Sequence, residues 1–291
     1  MFAVMYLDLS KDPFEHRPQG DTPVWTVVIP FFNERDYLAH TIESLSRQTV
    51  RFTLILIDNG STDGGAAVAE AAARAHALDY MLLTERTPGK VAALRTGLAW
   101  VRTRWVATCD ADTLYPPQYL AAAQAILSRP GHVVAGAYFV PDGISEPARV
   151  TEAARFLAAA RLLPRQCHAG GAGQAFCTRA LRAAGGFDAV RWNFVLEDHE
   201  VIHRVMRKGR MGYSSAMWCM PSPRERDRDS IRWTLVERLL YSAAAPIAGD
   251  WFFYRFLAGR LQRRRLLSSR IRERQYQHLE GPVLVPSHSL R

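Results

Sequence analysis

Strand-like apolar runs alternate with helical patterns along the first half of the chain, and this alternation restricts the fold more than any other feature. We predict strands at residues 24–29, 52–57, 80–83, 105–109 and 133–138. We predict helices at residues 36–48, 66–77, 91–101 and 116–127. Strands that alternate with helices form βαβ units, and such units build a mostly parallel sheet flanked by helices. The sequence therefore predicts an α/β fold of the Rossmann-like kind.

The second half of the chain is less regular. We predict a helix at 152–163, a short strand at 174–177, a helix that begins at 197 and a strand at 211–217. We place the α/β domain at residues 24–235. An N-terminal extension at 1–23 precedes it, and a basic, helical C-terminal extension at 236–291 follows it.

Two aspartates separated by one residue follow the predicted strand at 105–109, in the segment Asp110, Ala111 and Asp112. Ligands of open α/β sheets bind in the crevice outside the carboxyl ends of the strands. Carboxylates at such a position can hold a divalent cation, which in turn can hold the phosphates of a nucleotide-linked substrate. Because isolated Asp-x-Asp triplets are common, a solvated turn is the alternative interpretation.

Three further polar clusters follow strands at the same edge of the predicted sheet. They are the segments Pro30–Glu34, Asp58–Asp63 and Thr87–Lys90, the last of which is followed by Arg95. Each cluster also has an ordinary interpretation as a helix cap, a turn or a solvated charge. Their convergence with the acidic pair on one edge favours a binding site.

The order of the segments VVIPFFNE, LILIDNGSTD, PGKVAALRTGL, VATCDAD, GGFD and VLED resembles that of the family 2 glycosyltransferases, which have the GT-A nucleotide-sugar fold. The resemblance covers about residues 24–235. It implies contact with a nucleotide sugar for Pro30, Phe31, Asn33, Glu34, Asp58, Lys90, Arg95, Asp110, Ala111 and Asp112.

The resemblance also divides these residues by role. The first five, up to Asp58, would surround the base, while Lys90 and Arg95 would lie near the base, the ribose or the phosphates. Asp110 would face the ribose and sugar, and Asp112 would hold Mn2+ or Mg2+ on the diphosphate. Asn59 stands where many relatives have a second aspartate.

Glu197 and Asp198 match the Glu-Asp motif of the same family, in which the aspartate is the general base of inverting members. A general base must lie within hydrogen-bond reach of the acceptor hydroxyl. The start of a helix keeps a carboxylate ionised through the helix dipole. The resemblance implies that Asp198 is catalytic and that Glu197 orients the acceptor or a loop. The alternative is that both residues merely favour a first helical turn.

Arg232 and Trp233 resemble part of the Gln-x-x-Arg-Trp motif of processive members, but Asp229 stands in place of the glutamine. Processive synthases usually carry long transmembrane helices, and the sequence has no stretch of 18 uncharged apolar residues. We therefore expect a non-processive enzyme that adds one sugar. Arg232 and Trp233 are weaker candidates for contact with the diphosphate or the acceptor, and a surface arginine is the alternative.

The resemblance implies a metal-dependent, inverting transfer of one sugar from a nucleotide diphosphate sugar, with UDP as the implied nucleotide. The acceptor would be a hydroxyl of a glycan, a lipid or a small molecule, as in bacterial cell-envelope polysaccharide synthesis. One alternative is a sugar nucleotidyltransferase, but such enzymes resemble one another in a glycine-rich loop where Pro30–Glu34 stands here. The other is a non-catalytic nucleotide-sugar-binding scaffold, against which Asp112 and Asp198 argue.

The net charge of +9 comes almost entirely from arginine, and the C-terminal extension combines arginines with aromatic residues. Such a pattern suits a helix on an anionic membrane surface, and it also suits a helix packed on the domain or a homodimer contact. Nucleic acid is not an expected partner, because no binding motif accompanies the charge. The four cysteines lack metal spacing, and the N-terminus lacks a signal-peptide pattern. We therefore expect a cytoplasmic protein, peripheral on the inner face of the membrane if the extension binds lipid.

Overall fold

A computed structural model describes residues 23–222 and 233–270 of the chain. Its described strands form one eight-stranded sheet in the order β3-β2-β1-β4-β7-β6-β8-β5. The strands are β1 (Trp25–Phe31), β2 (Phe52–Asp58), β3 (Tyr80–Thr84), β4 (Trp105–Thr108), β5 (Thr113–Leu114), β6 (His132–Phe139), β7 (Gln174–Cys177) and β8 (Arg210–Pro221).

Helices connect these strands and form the C-terminal extension. They are α1 (Arg35–Ser46), α2 (Gly65–Ala75), α3 (Lys90–Trp100), α4 (Tyr119–Leu127), α5 (Glu146–Leu162), α6 (Thr178–Ala183), α7 (Glu197–Val205), α8 (Leu235–Trp251) and α9 (Ala258–Arg263). A 3-10 turn at Gly171–Gly173 precedes β7, and a π-helical segment at Phe252–Leu257 joins α8 to α9.

The α/β architecture predicted from the alternation is confirmed, and the sheet is mixed. β1 pairs in parallel with β2 and β4, and β2 pairs in parallel with β3. β7 is antiparallel to both of its neighbours, β4 and β6. β6 therefore runs in the same direction as β4, so the carboxyl ends of β1, β2, β4 and β6 all reach one edge of the sheet.

The core lies on both faces of the sheet, because the central strands are apolar on both sides. Val27 and Ile29 of β1 pack in one cluster with residues of α1, α2 and α4. Val28, between them, packs in a second cluster with residues of α3, α6 and α7. Continuous apolar runs of this kind are typical of strands that helices cover on both faces.

Several elements differ from the sequence prediction, among them α6, which was not predicted, and β8, which extends to Pro221 rather than ending at 217. Helix α5 begins at Glu146 rather than 152, after Ser145 and with a proline in its first turn, which are common features of a helix start. Strand β5 was not predicted. It contains only two residues, and it is stabilised by its antiparallel pairing with the end of β8.

The described part of the C-terminal extension packs on the α/β domain. Phe252, Phe253 and Leu257 are buried in a third cluster with Trp192 and Val195, which lie in the segment before α7. This finding favours the packed-helix interpretation for these aromatic side chains. Among the described residues, no helix is long and apolar enough to cross a bilayer.

Candidate functional site

The site residues predicted in the first half of the chain follow four strands, β1 to β4, that end at the same edge of the sheet. Asp58 ends β2 and is paired with Phe31 at the end of β1, while Asp110 follows β4. Helix α3 begins at Lys90, and α7 begins at Glu197. The structure brings Lys90 into contact with Asp110 and places Glu197 beside it.

The loops after β1 and β2 hold each other in place. Asn33 has a left-handed backbone (φ 53°), its N–H donates to Ser61 Oγ over 3.1 Å, and its Oδ1 accepts from Thr62 N–H over 2.8 Å. Asp58 Oδ1 accepts from Ser61 N–H over 2.8 Å. Asn33 and Asp58 therefore shape this crevice. Phe31, a predicted site residue, points into the core and is buried.

Asn59 fixes the loop that carries Lys90, a role that sequence analysis does not predict. Its Nδ2 donates to the carbonyls of Glu85 (2.9 Å) and Thr87 (2.8 Å), and its Oδ1 accepts from Gly89 N–H over 2.7 Å. An aspartate could not make the two donations, because an ionised carboxylate only accepts. Asn at this position is therefore suited to hold the loop.

Lys90 lies among the carboxylates of Asp110, Glu197 and Asp198 and carries a positive charge. Its Nζ lies 2.5 Å from Asp110 Oδ1 and 3.6 Å from Glu197 Oε1. Burial alone would lower the pKa of Lys90, but the charges of Asp110 and Glu197 outweigh it and raise that pKa above its ordinary value. Lys90 therefore stays protonated at neutral pH.

The Asp-Ala-Asp segment is anchored by its main chain. The Asp110 N–H donates to the hydroxyl of Tyr115 over 2.9 Å, and this buried hydroxyl donates to the Ala172 carbonyl over 2.8 Å. Ala111 is buried, and its carbonyl accepts from Thr41 Oγ1 over 2.8 Å. The segment is thus tied to the turn at Gly171–Gly173. Only the fold could reveal the role of Tyr115, because the carbonyl that accepts from its hydroxyl, that of Ala172, lies far along the chain.

Asp198 lies in the first turn of α7, after Leu196, which has a left-handed backbone (φ 63°). Its Oδ1 accepts from His199 N–H over 2.9 Å, and His199 Nδ1 lies 3.0 Å from the same oxygen. Burial alone would raise the pKa of Asp198, but His199 and Lys90 outweigh it and lower that pKa. For Glu197, burial dominates over Lys90 and raises the pKa. Asp198 is therefore the stronger candidate for an ionised carboxylate.

Gly171 lies against both Lys90 and Asp198. A Cβ at this position would lie 3.3 Å from Lys90 Nζ and 3.5 Å from Asp198 Oδ2. The missing side chain lets the Gly171–Gly173 turn approach both charged groups closely.

The remaining candidates lie around this centre. Arg95 is exposed on α3, close enough to Glu85 to contribute, after the larger effect of Thr96, to the lowered pKa of that carboxyl. Trp233 packs beside α7, with its ring 5.1 Å from His199 and stacked on Phe252 at 5.8 Å. Arg232 and Asp229 lie outside the described residues.

The residues present suit a divalent cation that is shared with a substrate. Asp112 supplies hard carboxylate oxygens at the strand end, whereas Asp110 is paired with Lys90. Within residues 23–222 and 233–270, no three His, Cys, Asp or Glu side chains form a metal-binding group. Mg2+ is commonly bound by one or two carboxylates together with substrate phosphates. In that mode the Asp112 carboxylate would be the protein's ligand, and the substrate phosphates would supply others.

Comparisons with known proteins give one consistent result. The family model described as glycosyl transferase family 2 matches residues 26–183. The undecaprenyl-phosphate 4-deoxy-4-formamido-L-arabinose transferase of Sodalis glossinidius is 33% identical over 98 residues, which cover 32% of this chain and 30% of that protein. The chain thus spans about a third of the length of curated relatives such as this one.

Solved structures share the fold. The mannosyltransferase PcManGT of Pyrobaculum calidifontis, in complex with GDP-Man and Mn2+, has a TM-score of 0.62 and 20% identity, with 86% of this chain and 76% of that chain covered. S. aureus TarS 1–349, in complex with UDP-GlcNAc, has a TM-score of 0.55 and 17% identity, with coverage of 75% and 64%. These similarities confirm the predicted GT-A fold.

Proposed function

The chain belongs to glycosyl transferase family 2, and we propose that it transfers one sugar from a nucleotide diphosphate sugar to a hydroxyl acceptor, with inversion and with a divalent metal ion. One observation carries this proposal. Lys90, Asp110, Glu197 and Asp198 meet at the carboxyl edge of the sheet, where Gly171 lies against both Lys90 and the candidate base Asp198.

Asp198 acts as the general base. Its lowered pKa keeps the carboxylate ionised at neutral pH, and its Oδ2 lies beside Gly171. The acceptor oxygen attacks the anomeric carbon while its proton passes to Asp198. The bond from that carbon to the diphosphate breaks, and the electron pair leaves with the nucleoside diphosphate. A single displacement of this kind inverts the anomeric carbon.

The donor is held by the strand-end loops. Asn33, Glu34 and Asp58 border the base, with the main chain at Pro30 and Phe31, while Lys90 and Arg95 supply positive charge toward the ribose and phosphates. Asp112 would hold Mn2+ or Mg2+ on the diphosphate, and the bound ion would neutralise the charge of the leaving group. The complex of PcManGT with GDP-Man and Mn2+ and the complex of TarS with UDP-GlcNAc support this proposal.

We propose UDP as the nucleotide, from the family resemblance. The test is release of nucleoside diphosphate from a panel of UDP-, GDP- and dTDP-sugars, with and without Mn2+. Metal-dependent release from one donor supports the proposal. A sugar nucleotidyltransferase would instead consume a nucleoside triphosphate and release pyrophosphate. A non-catalytic scaffold would bind a donor without releasing product.

We propose a glycan or a lipid-linked acceptor, which the name of the arabinose transferase relative supports. The outer face of α8 supports work at an anionic membrane surface, on the cytoplasmic side. Large apolar side chains that are 49–88% exposed lie on this helix: Leu235, Val236, Leu239, Ile247 and Trp251. Arg238 and Arg255 are exposed beside them. Apolar side chains flanked by arginines complement anionic lipid. The alternative is that the same face forms a homodimer contact.

A further inference from the structure

A cavity lies beside Gly170, the residue that precedes the Gly171–Gly173 turn. Its volume is about 300 Å³, near the lower end of the range of small-molecule sites, about 300–1,000 Å³. The cavity is lined by the end of β6, by α5 and by the segment before β7. The lining residues are Ala137, Tyr138, Phe139, Glu152, Arg155, Phe156, His168 and Gly170.

The topology places this cavity on the catalytic edge of the sheet. β6 runs in the same direction as β4, so Phe139 ends its strand at the edge where Asp110 follows β4. Gly170, in the cavity wall, directly precedes Gly171, which borders Lys90 and Asp198. A ligand in the cavity is therefore separated from the candidate base by the thickness of one glycine turn.

Phe139 forms an aromatic wall over this turn. A Cβ at Gly170 would lie 2.4 Å from the Phe139 ring, so only glycine allows the ring to approach the main chain this closely. Phe139 is nevertheless 44% exposed. On the opposite side, Phe156 is held by edge contacts with Tyr213 at 5.1 Å and His168 at 6.3 Å. The cavity thus exposes the ring of Phe139, which its packing on the glycine turn holds in place.

The polar groups of the cavity form a neutral pair. Arg155 Nη1 lies 2.9 Å from Glu152 Oε1 on α5, and both side chains are substantially exposed. Together they offer hydrogen-bond donors and acceptors without net charge. This arrangement suits a polyhydroxylated, uncharged ring better than a phosphate, which would prefer unpaired cations.

We propose that this cavity is the acceptor subsite and that it binds a pyranose ring, stacked on Phe139 and hydrogen-bonded to Glu152 and Arg155. The inference rests on the proposed function and names its acceptor class: a sugar hydroxyl. In this arrangement, one hydroxyl of the ring is directed past the glycine turn toward Asp198, which takes its proton. An apolar ring face on an aromatic side chain and a few polar groups at the rim match the composition of small-ligand sites.

The test uses saturation-transfer NMR on the full chain with UDP and Mn2+ present, with methyl glucoside, galactoside and mannoside as probes. We expect saturation of the ring protons of at least one glycoside with the unmodified protein. Phe139→Ala should weaken that binding about tenfold, the order expected for loss of one aromatic contact, and Phe139→Trp should restore it. Trp100→Ala is the matched control, since Trp100 is a half-exposed aromatic residue at the end of α3.

Two further readouts separate this inference from the proposed function. UDP affinity and melting temperature should be the same for Phe139→Ala and the control, because Phe139 lies outside the donor crevice. No glycoside signal with the unmodified protein, or an equal signal in Phe139→Ala, overturns the acceptor subsite even where the donor is bound. Failure of every donor to bind overturns the proposed function instead.

Discussion

The ammonium nitrogen of Lys90 lies 2.5 Å from Oδ1 of Asp110, so the start of α3 and the end of β4 meet in a charge pair at the edge of the sheet. The same nitrogen lies 3.6 Å from Glu197 at the start of α7. One cation therefore connects the proposed donor site with the proposed base. Its charge favours the ionised forms of the neighbouring carboxylates.

Replacement of Lys90 should change the pH dependence of turnover. Burial alone would raise the pKa of Asp198, but His199 and Lys90 hold it below its ordinary value. The acid limb of kcat at saturating donor should therefore lie at a pH below the ordinary pKa of an aspartate. Lys90→Met removes one of the stabilising charges, so the limb should move to higher pH.

The lowered pKa of Asp198 also makes its contribution to the stability of the fold depend on pH. A lowered pKa in the folded state stabilises the fold above the unfolded pKa, and this stability is lost as the pH falls through the folded value.

Lys208→Met is the matched control for the turnover of Lys90→Met, because Lys208 is an exposed lysine that follows α7. Identical acid limbs in Lys90→Met and Lys208→Met would contradict the coupling of Lys90 to Asp198.

Asp112→Asn should remove metal-supported donor binding and leave the fold intact. The substitution deletes one carboxylate charge from a strand end while it keeps the size of the side chain. Calorimetry with UDP, in the presence and absence of Mn2+, should show that the metal no longer increases affinity. Asp142→Asn, in an exposed loop, should retain the increase. A full metal effect in Asp112→Asn would exclude Asp112 as the metal ligand.

Glu200→Gln should destabilise the fold because Glu200 and Arg204 form a buried, two-contact ion pair, with N–O distances of 2.7 and 2.8 Å. Arg204 also donates to the carbonyls of Ala184 and Gly186, and Tyr254 of the C-terminal extension donates to Glu200. Removal of one partner of a buried pair costs about 3–5 kcal/mol, which denaturant unfolding can measure.

Glu146→Gln provides the comparison for this measurement. Glu146 pairs with Arg149 on α5 but is 71% exposed, and exposed pairs contribute about 0–1 kcal/mol. If the two variants lost the same free energy of unfolding, the buried pair would not be what joins α7, the glycine turn at 185–186 and the extension.

Lipid binding should depend on the outer face of α8. The double variant Leu239→Ser with Ile247→Ser should reduce co-sedimentation with vesicles of anionic lipid, and high salt should weaken binding of the unmodified protein. Leu162→Ser is the control, because Leu162 is 81% exposed on another helix. Point variants are preferable to a deletion from residue 260, since Leu261 and Leu266 are buried.

Equal co-sedimentation of the double variant and the control would contradict membrane contact through α8. A change from dimer to monomer in the double variant, without an effect on lipid, would assign the same face to self-association instead. Light scattering on the double variant and the control distinguishes self-association from membrane contact.

The strands and the shared edge of the sheet could be predicted because their signals are local. Apolar runs such as Val27–Ile29 and the polar residues after them depend on neighbours along the chain. The antiparallel insertion of β7 could not be predicted, because it depends on pairing with strands distant in sequence. A periodic pattern along the chain predicts a strand but does not indicate which distant strand it pairs with.

The supporting residues of the site were missed for the same reason. Asn59, Tyr115 and Gly171 act through partners that the fold alone brings close. In the C-terminal extension, the sequence could not distinguish buried Phe252 and Phe253 from exposed Trp251, since all three are adjacent aromatic residues. Only their contacts with the segment before α7 separate core from surface.

Asp198→Asn should lower turnover while donor affinity barely changes, because a general base acts in the transition state. Base catalysis contributes about 10²–10⁴-fold, and the loss of kcat should fall in or above that range. If Asp198 only favours a helix start, the variant should instead lose on the order of 1 kcal/mol of stability at near-normal turnover. Asp36→Asn is the matched control, since Asp36 is an exposed acid in the first turn of α1. Turnover, UDP affinity and melting temperature measured on both variants separate the two roles, and a near-normal rate in Asp198→Asn would mean that another residue is the base.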